Sequence, residues 1–175
     1  MKKVNDEVYY ATGNIIKLDK KDITSLELKS RNNKNKRIRI CCYRNINDKI
    51  HEMFIVLRKG TYIRPHKHSH KTVSYHIIDG SADIIIFDDK GNIIELIKMG
   101  NYPSRRKFYY RFNETYYYTL NINSNYVIFH EVVNGPFKGS EFAPWSPNED
   151  DETEIKKFLK NLKKSIELYS QKKFT

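Results

Sequence analysis

Val73-Ser74-Tyr75-His76-Ile77-Ile78-Asp79-Gly80-Ser81-Ala82-Asp83-Ile84-Ile85-Ile86-Phe87-Asp88-Asp89-Lys90-Gly91-Asn92-Ile93 reads as strand, turn, strand, hairpin loop and returning strand. The runs Val73 to Ile78 and Ser81 to Phe87 are rich in β-branched and aromatic residues, which suit a pleated surface. Asp79-Gly80 between them is a tight-turn pair, and Gly91 supplies positive φ for the loop before Ile93 to Met99 returns. The same grammar extends both ways. Upstream, Arg37 to Tyr43 begins with strict alternation, and His51 to Leu57 follows, punctuated by Gly60. Downstream come Lys107 to Phe112, Tyr116 to Ile122 and Tyr126 to Val133. Many short strands with almost no helix between them predict an all-β fold, an antiparallel β-barrel or jelly roll.

Helix is expected at two places only. Asp19 to Ser30 carries Ile23, Leu26 and Leu28 with Asp19 or Asp22 available as cap. Near the end, Ile155, Phe158, Leu159, Leu162, Ile166 and Tyr169 share one face at 3.6-residue spacing, giving an amphipathic helix over about 152–171. Its acidic start and lysine-rich continuation complement the helix dipole. Between the last strand and this helix, Glu141-Phe142-Ala143-Pro144-Trp145-Ser146-Pro147 is too rich in proline for regular structure, and Phe142 and Trp145 are expected to pin it to the barrel. The chain therefore divides into an N-terminal extension (1–36), a barrel (37–148) and a helical tail (149–175), read as one structural domain of 175 residues.

Composition narrows the function. Hydrophobic residues make up 39% and charged residues 30%, enough for a core beneath a hydrated surface. No apolar run reaches membrane-spanning length, and the N-terminus turns acidic at Asp6-Glu7 where a signal peptide needs an apolar stretch, so a cytoplasmic protein with no membrane partner is expected. Cys41 and Cys42 are neighbours pointing to opposite faces of a strand, read as reduced thiols, and no CxxC zinc knuckle exists. The net charge of +11 raises nucleic acid as a partner. Its dense clusters, Arg31 to Arg39 and Arg105-Arg106-Lys107, sit in a sequence biased throughout toward Lys, Asn, Ile and Tyr, and that bias argues against nucleic acid.

Chemistry concentrates around residues 66–76. His66 and His68, two apart on an extended segment, project from one face and can share a metal as neutral imidazoles. His70 has the same parity, so His66, His68 and His70 are the candidate metal ligands. Alternation turns Lys67 and Lys71 outward. Strand parity directs Tyr75, Tyr118 and Glu131 inward, so that His66, His68, Tyr75, Tyr118 and Glu131 form a candidate ligand pocket. His76 and His130 have the opposite parity and belong to the outer face, as structural or interface residues. Tyrosine rings such as those of Tyr116-Tyr117-Tyr118 suit a sugar, which needs apolar contact and hydrogen bonds together.

The stretch Gly60-Thr61-Tyr62-Ile63-Arg64-Pro65-His66-Lys67-His68, continuing to Gly80, resembles the first cupin motif: a glycine, five residues, His-x-His and a later glycine. More narrowly, His51-Glu52-Met53, Arg64 to His68, Phe87 to Asn92, Phe129-His130-Glu131, Asn134 to Phe137 and Phe142 to Pro147 resemble the WbuC-type cupins of bacterial surface-polysaccharide (O-antigen) gene clusters. That resemblance implies a cupin-type barrel and a role in carbohydrate biosynthesis. It also implies a metal held by the two histidines, a glutamate seven residues before the second glycine and a histidine on a later strand. Here those last two positions hold Val73 and Tyr118. A divalent metal (Zn, Fe, Mn or Ni) is therefore expected to bind weakly, with His70 or Glu131 as conceivable replacements, and no other cofactor is expected. Two functions follow from the resemblance. One is a protein that binds a small polar molecule, a sugar or sugar derivative, in a barrel with a degenerate metal site. The other is a metal-dependent enzyme of isomerase or epimerase type acting on an activated sugar. A second copy of the chain, forming a homodimer, is a further candidate partner.

Overall fold

The protein is described by a computed structural model over residues 1–68, 71–113 and 115–172. The chain runs β1 (Lys2–Lys3), β2 (Val8–Tyr10), α1 (Lys20–Arg31), β3 (Arg37–Cys41), β4 (Ile50–Arg58), β5 (His66–Lys67), β6 (Val73–Phe87), β7 (Ile93–Gly100), β8 (Tyr109–Phe112), β9 (Tyr117–Asn134), β10 (Glu141–Phe142) and α2 (Glu152–Lys172). It is mostly β sheet with two helices, as the strand-and-turn pattern predicts.

Two long strands form the spine. β6 and β9 pair antiparallel from Val73↔Val133 to Phe87↔Tyr117. The Asp79-Gly80 pair, expected to reverse the chain, does not. It lies within β6, where the register against β9 shifts between Ile77 and Asp79 and again between Gly80 and Ala82. Such bulges bend a strand instead of ending it. Gly80 takes φ +77°, and a Cβ there would meet the Tyr126 carbonyl oxygen at 2.1 Å. Asp79 fixes the bend: its carboxylate accepts the Gly80 N–H at 2.8 Å and the Tyr126 hydroxyl at 2.9 Å. The Asn123-Ser124-Asn125 break is likewise absorbed into β9.

Shorter strands flank this bent ribbon. β8 and β7 line the free edge of β6, while β4 and β5 line that of β9. β3, β2 and β1 extend the sheet beyond β4, and β10 beyond β5. The expected closed barrel is not what the pairings make. Among the described residues the sheet is open, with β7 and β8 on one side unpaired to β1 or β10 on the other. Sequence alternation marks which face of a strand is apolar, but it does not say whether the outermost strands meet.

The bend folds the sheet over one apolar interior, to which Met53, Ile55, Val73, Ile84, Leu120 and Phe129 contribute from both halves. The helices cover parts of the outer surface. α1 is capped by Asp19, which accepts from Lys21 and Asp22 while Asp22 reaches back to the Asp19 N–H, a capping box. Its Leu26 packs on Ile38, Ile40, Val56 and Ile128. α2 lays Leu162 and Ile166 on Ile85, Phe87 and Tyr117. No helix among the described residues is long and apolar enough to cross a membrane.

Candidate functional site

The interior contains a cavity of about 430 Å³, lined by Tyr10, Met53, Ile55, Leu120 and Phe129, with His66, His68, Tyr75 and Glu131 on its walls. The ladder explains this set. Glu131 lies between Met53 of β4 and Tyr75 of β6 in one cross-strand row, and all three point inward. His66 pairs with Tyr118 at the start of β9.

The two imidazoles meet the tyrosines closely. Ring centroids are 5.1 Å apart for His66 and His68, and 4.6 Å for His66 and Tyr118. The Tyr75 and Tyr118 hydroxyls are 3.5 Å apart. His66 Nδ1 sits 2.8 Å from the Arg64 carbonyl oxygen. A carbonyl only accepts, so Nδ1 carries the proton and Nε2 keeps its lone pair. Burial lowers the pKa of His66. Burial, then the neighbouring His66, lowers that of His68 to about 4. Both rings are neutral near pH 7. Tyr118 and Tyr75 are 1% and 3% exposed, and burial followed by the Glu131 charge holds both phenols well above their ordinary range.

Glu131 is the unusual group. Burial pushes its carboxyl up to about 7, opposed only by Arg39. Protein surrounds it, yet its side chain keeps accessible surface, because what it exposes is the cavity wall. No hydrogen bond reaches its carboxyl among the described residues. A carboxyl withdrawn from bulk water without a protein partner calls for another group to satisfy it.

The sequence comparisons are sparse. The model of a protein family described as a domain of unknown function, DUF6016, matches residues 18–99. No curated protein matches the sequence at a significant level. Solved structures give weak likenesses. A deletion mutant of the oxalate decarboxylase of Bacillus subtilis is 19% identical over 55% of this chain, with a TM-score of 0.42. The cupin domain of Cnp3 from Schizosaccharomyces pombe is 14% identical over 57%, with a TM-score of 0.43. Protein SO0799 from Shewanella oneidensis is 12% identical over 58%, with a TM-score of 0.47. The matches span 24%, 64% and 66% of those three chains. Likeness of fold does not assign an activity.

Among the described residues, the donors at this site do not complete a metal's ligand set. Val73, where the cupin resemblance implies a carboxylate ligand, is 2% exposed within the apolar core. Tyr118 is buried and held neutral, so it offers no phenolate. Among the described residues no group of three or more His, Cys, Asp or Glu gathers where it could hold a metal ion. Two histidines fall short of the three protein ligands of a catalytic zinc site. His70, the third candidate ligand, lies outside the described residues.

Lys67 faces away from the cavity, over the Tyr117 ring and 3.1 Å from Glu141. Lys71, also expected outward, instead lines the cavity mouth and donates to the Pro136 carbonyl at 2.7 Å. β5 ends at Lys67, so its alternation does not carry on to residue 71. Sequence reasoning also missed His51, which is 2% exposed, lines the cavity and stacks on Tyr43 at 4.1 Å. Its signal was available, since His51 shares parity with Met53 and Ile55. Arg64 was read only as part of a motif. Its guanidinium reaches Ser146 Oγ at 3.1 Å, and the Tyr62 hydroxyl reaches the Pro147 carbonyl at 2.9 Å, so these residues tie the proline-rich segment beside the mouth.

Proposed function

We propose that this is a cupin-type protein that binds a small polar metabolite, a sugar or sugar derivative, in its interior cavity without needing a resident metal. The observation that carries the reading is the Glu131 carboxyl, set in the cavity wall with no hydrogen-bonding partner among the described residues. A volume of about 430 Å³ falls within the range of small-molecule sites. Tyr10, Tyr43 and Phe129 provide ring faces, while Glu131, the neutral His66 and His68 and the Tyr75 hydroxyl provide hydrogen bonds. That combination matches a polyol better than a purely apolar ligand. The resemblance to cupins of surface-polysaccharide clusters supports a place in carbohydrate biosynthesis.

A second reading is an isomerase- or epimerase-like enzyme on an activated sugar. One observation favours it: a carboxyl with a pKa of about 7 is suited to exchange a proton near neutrality. The neutral His66, with Nε2 unprotonated, is a further proton acceptor of the cavity. With no complete metal-ligand set described, this chemistry would be acid–base.

Native mass spectrometry of gently purified protein tests the binding reading. A retained small organic mass that disappears in Glu131→Gln is expected. Protein that stays bare when incubated with monosaccharides and nucleotide-sugars counts against it.

A further inference from the structure

The helices leave one part of the sheet's outer surface bare. α1 covers the row containing Val56 and Ile128, and α2 covers that around Ile85 and Tyr117. Between them β4, β9, β6 and β8 present an uncovered face. Its register is fixed by the ladder: Phe54↔His130, His130↔His76 and His76↔Tyr109 place four rings in one line across four strands. Phe54 stacks on His130 at 4.8 Å, and Phe108 meets His76 at 5.7 Å. Tyr109 is 53% exposed and Phe108 39%. A run of exposed rings on a sheet face marks an interaction surface.

The adjacent row identifies the partner. Glu52↔Val132, Val132↔Ser74 and Ser74↔Arg111 put a carboxylate on the β4 end and a guanidinium on the β8 end of the same line. A two-fold axis lying parallel to the strands, midway between β9 and β6, exchanges the two ends. It sets Glu52 of one copy against Arg111 of the other, twice. It also sets Phe54 against Tyr109 and His130 against His76. We propose that the chain forms a homodimer through this face, closed by reciprocal Glu52–Arg111 pairs around a core of facing rings. Face-to-face sheets pack with strands about 30° apart, a geometry that a two-fold axis accommodates. A surface that complements itself under one rotation fits an isologous contact, in which a second copy of the chain is the occupant. Among the described residues of one copy, the only ion pair of Glu52 is the longer contact to His130 Nε2 at 3.8 Å, and Arg111 makes none.

The inference is independent of what the cavity binds. Sedimentation velocity of the full chain, from about 5 to 100 µM, is the first measurement, and a dimer is expected. Glu52→Arg and Arg111→Glu each place like charges together twice, so each should weaken association at least tenfold. The double reversal Glu52→Arg with Arg111→Glu restores opposite charges and should restore the dimer. Both side chains are exposed, and circular dichroism confirms folding of each variant. A monomeric natural chain overturns the proposal. So do single variants that dimerise like the natural chain, or a double reversal that stays monomeric.

Discussion

Tyr75 of β6 stands directly across the ladder from Glu131 of β9. The Tyr75 hydroxyl also lies 3.5 Å from that of Tyr118, which packs on His66. Ladder pairing and ring contacts therefore bring a carboxyl, two phenols and two imidazoles near one another beside the apolar interior.

The Glu131 carboxyl should titrate at about 7 by carboxyl-resolved NMR. The sign for stability follows. A carboxyl whose pKa rises on folding contributes stability that is full below its unfolded value near 4.5 and is lost as pH rises toward 7. His68 works in the other direction. Its pKa falls from 6.5 to about 4 on folding, so its contribution is present above 6.5 and lost as pH drops toward 4. The two oppose each other across the acid range, and the clean observable is a difference. Natural protein minus Glu131→Gln should lose roughly 2–3 kcal/mol of stability between pH 4.5 and 7. A flat difference curve from urea titrations would contradict the raised pKa.

His66 and His68 should be neutral near pH 7. Long-range proton–nitrogen spectra are expected to show His66 protonated at Nδ1 only, because the Arg64 carbonyl accepts from that atom. An imidazolium signature for His68 at this pH would mean that water reaches it freely.

Much of this was legible from residues alone. Parity along the strands placed Tyr75, Tyr118 and Glu131 on the inner face and His76 and His130 on the outer one. The capping pattern at Asp19 located α1. What escaped has physical reasons. Asp79-Gly80 has the composition of a turn, and only the continuation of pairing with β9 shows that it bends β6 without reversing it. Closure depends on whether edge strands far apart in sequence meet, which no local pattern records. Lys71 lies beyond the end of β5, where alternation stops being informative. Position 64 gave no local sign that its side chain would reach Ser146, more than eighty residues away.

The bend in β6 makes its own test. Gly80→Ala forces a Cβ toward the Tyr126 carbonyl oxygen at a position with φ +77°. Strain of this kind amounts to roughly 1–3 kcal/mol, and the backbone contact adds to it. Urea unfolding should show a loss of at least that size, whereas Gly139→Ala, with nothing within 4 Å of the added carbon, should lose less. Equal losses would mean that Gly80 does not hold the ribbon's shape.

Metal affinity should be low in the natural chain and recoverable by substitution. Val73→Glu with Tyr118→His supplies a carboxylate and an imidazole at the two positions where the cupin resemblance implies them. Even outer partners of metal ligands change affinity about 10–100-fold, so two direct ligands should raise it by at least two orders of magnitude. Calorimetry with Zn²⁺, Mn²⁺ and Ni²⁺ on both forms reads this directly. Tight stoichiometric binding by the natural chain would show that it holds a complete ligand set.

The central claim is that the cavity binds a small polar ligand through Glu131. Calorimetric titration of the natural chain and of Glu131→Gln with a panel of monosaccharides, sugar acids and nucleotide-sugars tests it most directly. At least one class should bind the natural chain with a Kd of about 1 mM or tighter, equivalent to roughly 4 kcal/mol or more. Replacing the carboxyl should weaken that ligand roughly 5- to 150-fold, the effect of removing one buried hydrogen-bonding partner. Equal affinity for both proteins, or no binding by any member of the panel, would contradict the claim.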